Sequence, residues 1–152
     1  MLGTITGCFL SLLVASCGTL ENGKGRSAEP LDAAVFHVDN DDVWWDGSFS
    51  GYQPMIYREA SLKVLEEGAI HIPALIAALR NDNQWAIAHV LLWEITHASV
   101  TVADEKRLTY RGLHVDMDKK FPYDIRDKKI LTVFWEKWWS TEGQYKYMDL
   151  RK

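Results

Sequence analysis

The chain has 152 residues, 47% of them hydrophobic and 25% charged, with a formal net charge of -4. That balance disfavours nucleic acid as a partner, since phosphate contacts need an excess of Lys and Arg, and the length suits one modest core rather than two. The only cysteines, Cys8 and Cys17, lie near the N-terminus, so neither a structural disulfide nor a thiolate site is expected in the body of the chain.

Residues 1–16 contain no charged side chain and include an almost wholly apolar run, too short for a membrane span of about 20 residues. They read as a signal peptide. Val14-Ala15-Ser16-Cys17 resembles the lipobox of bacterial lipoproteins, although no Lys or Arg precedes the apolar run. The resemblance implies cleavage before Cys17, lipidation of its sulfur and attachment to the periplasmic face of the cell envelope. Gly18 after the cysteine favours the outer membrane by the family's rule. Residues 17–30, rich in Gly, Ser, Glu, Asn and Lys, are expected to be a flexible tether. Residues 31–152 are left as the single folded domain.

Residues 31–38 form a short apolar run that we read as a brief helix. Asp39-Asn40-Asp41-Asp42 and Asp46 follow, an oxygen-rich group whose spacing fits no EF-hand loop and lacks the closing Glu. Solvated turn carboxylates are the expected state. Of the next two residues, Trp44 and Trp45, one should pack on the first helix of the domain and the other stay partly exposed, with Trp45 taken as the more exposed ring.

Residues 54–97 read as three helices joined by tight turns. The first opens at Pro54, places Tyr57, Ala60, Val64 and Leu65 on one side and ends at Gly68. Pro73 opens the second, with Leu75, Ile76 and Leu79 on its inner face. In the third, Trp85, Ala88, Leu92 and Ile95 form one stripe, preceded by Asn81 and Gln84 at capping-box spacing. Tyr57-x2-Ala60-x3-Val64 and Trp85-x2-Ala88-x3-Leu92 share one pattern of aromatic, small and aliphatic residues. With Pro73-x-Leu75-x3-Leu79 and the Asn-rich turn, this stretch resembles HEAT-like (armadillo-type) helical repeats. The resemblance covers about a third of the chain and implies an all-α fold, a short solenoid of stacked helices.

Residues 100–121 alternate loosely and read as a long, partly extended insertion with room for a β-hairpin at Arg111-Gly112. Asp124 then caps a closing helix whose apolar side carries Leu131, Phe134, Trp135 and Trp138. Trp135 and Trp138 both stand at core spacing, and Trp138 is expected between this helix and the Trp85 helix. Tyr123-Asp124 leading to Trp135-x2-Trp138-Trp139 is similar to the terminal helix of some bacterial HEAT-like proteins.

No His-Glu-x-x-His, Gly-x-Ser-x-Gly or phosphate-cradling Gly loop occurs. His89 and His97 are separated by roughly 12 Å of helical rise and cannot share one metal. Neighbouring Glu66 and Glu67 do not face each other. No catalytic residue, metal or cofactor is assigned. The expected function is a lipid-anchored protein-binding or scaffold module acting through a helical-repeat surface, with Trp44, Trp45 and Trp139 as candidate contact residues. Glycan binding through those indoles is a second reading. A bilin-lyase-like cofactor-handling enzyme, implied by the HEAT-like resemblance alone, is a third.

Overall fold

In the computed structural model, residues 33–48, 51–98, 100, 109–119 and 122–147 are described. The expected signal peptide, Cys17 anchor and tether lie outside the described residues. Among the described residues no helix is long and apolar enough to cross a membrane.

The elements run in the order α1 (Ala33–Phe36), β1 (Val43–Ser48), β2 (Gly51–Ile56), α2 (Glu59–Glu67), α3 (Ile72–Ala78), α4 (Trp85–Thr96), β3 (Thr109–Tyr110), β4 (Leu113–His114), α5 (Ile125–Trp138) and α6 (Gln144–Tyr147). Short 3-10 turns at Asn40–Asp42 and Gly68–His71 link them, and a π-helical segment, Trp139–Gly143, joins α5 to α6. Both pairs of strands are antiparallel hairpins, β1 with β2 and β3 with β4.

Helix α4 is the centre of the fold. Every residue from Trp85 through Leu92 is buried, the state expected of a helix that is apolar on all sides rather than along one stripe. Helices α2, α3 and α5 pack around it. Its first turn is capped from a distance, because Asn40 Oδ1 accepts from the backbone N–H of Ala86 (2.9 Å) and of Ile87 (3.3 Å). The rest of Asn40 is equally committed: its side-chain amide donates to Asp82 O, its N–H to Asn83 O, and its carbonyl accepts from the Tyr123 hydroxyl. Asn40→Ala strips a cap and orphans partly buried groups, so it should cost about 1–3 kcal/mol, read as a lower urea midpoint. Asn40→Asp, which keeps the accepting oxygen, should retain part of that loss.

The all-α, HEAT-like expectation is overturned. Residues 54–56, assigned to the first helix, form the end of β2, where Pro54 is tolerated because a two-stranded ribbon has no central strand. Helix α2 begins only at Glu59. Tyr57 therefore precedes the helix and is exposed, whereas its supposed counterpart Trp85 is buried; the two copies of the pattern occupy unlike positions. What remains is a small mixed fold of short helices and two hairpins, not a stack of repeated helix pairs. Asn81 and Gln84 also act differently from a reciprocal capping box. Asn81 Oδ1 accepts from Asn83 N–H, and Gln84 Nε2 reaches the carbonyls of Val35, Phe36 and Val38, tying α1 to the start of α4.

Asp124 caps α5 by accepting from Arg126 N–H (3.0 Å). Trp135 is fully buried, while Trp138 is only half buried and packs on Trp135, Trp139 and Tyr147. The π segment lets both indoles close over Gly143, where a Cβ would stand 2.6 Å from the Trp139 ring and 2.7 Å from that of Trp138. Thr141 and Ser140 hydroxyls donate back to the Lys137 carbonyl, one of the groups such a wide turn frees.

Candidate binding surface

Period-two alternation in the β1–β2 hairpin gives its two faces different tasks. Its register sets Val43 against Ile56, Trp44 against Met55, Trp45 against Pro54 and Asp46 against Gln53. Val43 and Trp45 turn inward, the latter only 3% exposed. Trp45 Nε1 donates to the Tyr123 hydroxyl (3.2 Å), which donates onward to Asn40 O (3.1 Å). The Trp45 ring meets Tyr110 and Tyr123 edge-to-face, at centroid distances of 5.3 and 6.3 Å. Burial pushes the Tyr123 phenol up to about 12, and burial with the adjacent Glu94 raises Tyr110 too, so both stay neutral donors at physiological pH. The Tyr110 hydroxyl donates to Glu94 Oε1 at 2.8 Å.

The outer face rests on that packed backing. Trp44 is 56% exposed and Met55, directly across from it, 53%. Asp46 and Gln53 form the next outward pair, and Tyr57 continues the alternation beyond β2. The Tyr57 hydroxyl donates to Asp41 O at 2.6 Å, and the Arg58 guanidinium lies 5.4 Å from its ring centre. Of the three tryptophans singled out from sequence, only Trp44 thus presents its ring broadly to solvent. Trp45 is a core residue that packs on Tyr110 and Tyr123 rather than on the first helix, and Trp139 belongs to the separate cluster around Gly143. The hairpin itself escaped the sequence reading. Alternation of large residues on both sides of the Gly47 and Gly51 region was the signal that could have revealed it.

The acidic turn before the hairpin is a structural device. Asp39 accepts from Asp41 N–H, and buried Asp42 accepts from Ser61 Oγ at 2.6 Å and lies 3.8 Å from Arg58 Nε. No group of three or more His, Cys, Asp or Glu is placed to hold a metal ion among the described residues.

A concavity of about 540 Å³ is lined by Tyr52, His114, Asp116, Lys119, Tyr123 and Arg126, among others. At its floor His114 Nδ1 meets Asp127 at 2.8 Å, and His114 N–H donates to the same carboxylate at 2.7 Å. The Asp127 carboxylate thereby fastens β4 to the first turn of α5. Lys119 holds the Asp116 carboxyl below its ordinary value, the two lying 2.8 Å apart. Asp124 is paired with Arg126. With both its backbone N–H and its ring Nδ1 on one carboxylate, His114 and Asp127 read as a fastening between the two elements.

Compared with protein-family models, curated proteins and solved structures, the chain gives no significant match. The likeness to HEAT-like repeats therefore finds no support there either.

Proposed function

We propose that this chain is a protein-binding module whose contact surface is the outer face of the β1–β2 hairpin. One observation carries the reading: Trp44 and Met55 stand side by side in solvent while the adjacent Trp45 is locked from behind by Tyr110 and Tyr123. A rigidly backed aromatic loses little freedom on binding, and tryptophan is among the residues that dominate interface energies. Trp44→Ala should leave the unfolding midpoint nearly unchanged, as for other exposed positions. It should weaken capture of a partner from envelope extract by about thirtyfold, the effect of losing an interface hot spot. Equal capture by the variant and the original chain would remove this reading.

Glycan binding stays in view for a specific reason. Asp46 and Gln53 lie on the same face as Trp44, giving an indole platform flanked by hydrogen-bonding groups. Quenching of tryptophan fluorescence by soluble polysaccharide, present in the original chain and lost in Trp44→Ala, would favour sugar over protein. We also propose attachment to the envelope through Cys17, which rests on the Val14-Ala15-Ser16-Cys17 pattern alone. Cys17→Ser should abolish labelling by an alkynyl fatty acid, and equal label on the variant would dismiss the anchor.

A further inference from the structure

Charge is distributed unevenly along this acidic chain. Residues 119–152 carry nine of its 17 basic residues but only five of its 21 acidic ones. Helix α5 concentrates the excess on one side. Its solvent-exposed positions are Ile125, Arg126, Lys129, Ile130, Val133 and Lys137, which fall within one arc of about 140° at 100° per residue. The face is about 21 Å long. Three aliphatic side chains thus stand among three cations. The acidic groups nearby are engaged with bases: Asp124 is bonded to Arg126 on the face, Glu136, which falls within the arc, accepts from Arg80 at 2.6 Å, and Glu142 shares a cleft with Lys137 and Lys146. Among the described residues neither Lys129 nor Lys137 has an ion-pair partner.

We infer that this face of α5 rests on an anionic phospholipid surface. The chemistry separates this occupant from an acidic protein. Protein interfaces are depleted in lysine and built around aromatics and arginine seated in pockets, whereas this face is a helix side offering isoleucine, valine and unpaired lysine. Such a mixture suits a headgroup layer, where aliphatic side chains dip toward the acyl boundary and lysine stems lie along it with their ammonium groups among the phosphates. The attraction is additive in charge, roughly fivefold in affinity for each basic residue near an anionic surface. The inference is independent of both the hairpin reading and the Cys17 anchor.

The test is co-sedimentation of the full chain with vesicles of phosphatidylcholine alone or mixed with phosphatidylglycerol. The N-terminal apolar segment is common to every variant, so its contribution cancels in the comparison. Preference for the mixed vesicles is expected, weakened by high salt. Neutralising Lys129→Gln together with Lys137→Gln should reduce binding to mixed vesicles by about thirtyfold, and Lys129→Arg with Lys137→Arg should retain it. Ile130→Ser with Val133→Ser should weaken binding while leaving the lipid preference intact. Unchanged unfolding midpoints, expected of exposed positions, would show that the fold survives in each. Equal binding of the original chain to both vesicles would overturn the inference, as would full vesicle affinity in the glutamine pair. Loss of an acidic protein ligand by the glutamine pair, with vesicle binding intact, would assign the face to that protein and equally defeat the proposal.

Discussion

Trp135→Ala should destabilise the domain more than truncation of any other aromatic on α5. Its indole is fully buried, meets Trp138 edge-to-face at 5.3 Å and donates through Nε1 to His89 Nδ1 at 2.9 Å on the central helix. Removing a ring of that size leaves a cavity worth about 3–5 kcal/mol, and an orphaned buried acceptor adds about 1–3 kcal/mol. Against a total stability of about 5–15 kcal/mol the variant would be close to unfolding. Urea titration can weigh the two contributions, because Trp135→Phe forfeits the hydrogen bond while giving up only part of the ring volume. Trp138→Ala, at a half-buried position, should cost less than Trp135→Ala. A larger loss at Trp138 would mean that the sequence-based placement of Trp138 between the two helices was the better one.

Helical periodicity identified a closing helix with buried large residues but could not rank Trp135 above Trp138. Both indoles fall on one side, three positions apart. Their difference arises beyond the helix, where the π segment opens its backbone and folds Trp138 and Trp139 over Gly143. Local signals were readable elsewhere: Asp124 caps α5, Gly68 takes a positive φ at the end of α2, and Pro73 sits in the first turn of α3. Each rests on the backbone of a few adjacent residues. The start of α4 falls where the Asn81–Gln84 spacing points, but its effective cap, Asn40, lies 46 residues earlier and has no local signal.

The exposed face of the hairpin was hidden by a mistaken period. Tyr57, Ala60 and Val64 fit a helical stripe, which makes Pro54 read as its first turn. The competing period of two, running from Val43 to Ile56 through Trp45 and Tyr52, decides the outcome because Trp45 can bury itself only if its strand pairs with β2. Once pairing is fixed, adjacent Trp44 must face outward. Nothing local distinguishes the two tryptophans. Their division of labour is set by Tyr110 and Tyr123, more than sixty positions away.

Stability should fall as the medium is acidified from about pH 6.5 to about pH 4, and His89 is the reason. Desolvation in the core lowers its imidazole to about 4 from an ordinary 6.5, partly offset by the backbone of Tyr110 and Arg111. The hydrogen bond fixes the form present: Trp135 Nε1 can only donate, so His89 Nδ1 must be unprotonated and the ring proton resides on Nε2. That Nε2 is buried, with the backbone of Tyr110 and Arg111 near enough to favour a proton but no hydrogen bond of ordinary geometry among the described residues. A second proton would enter at Nδ1, setting N–H against N–H and leaving a charge in an apolar interior. Between the two pKa values the unfolded chain binds a proton that the folded chain refuses, so lowering the pH favours unfolding. The contribution is fully present above pH 6.5 and lost by pH 4, amounting to about 3 kcal/mol. Urea titrations across that window should show a slope that His89→Gln largely removes, since its carboxamide oxygen can accept from Trp135 without titrating. An unaltered slope in His89→Gln would dismiss His89 as its source.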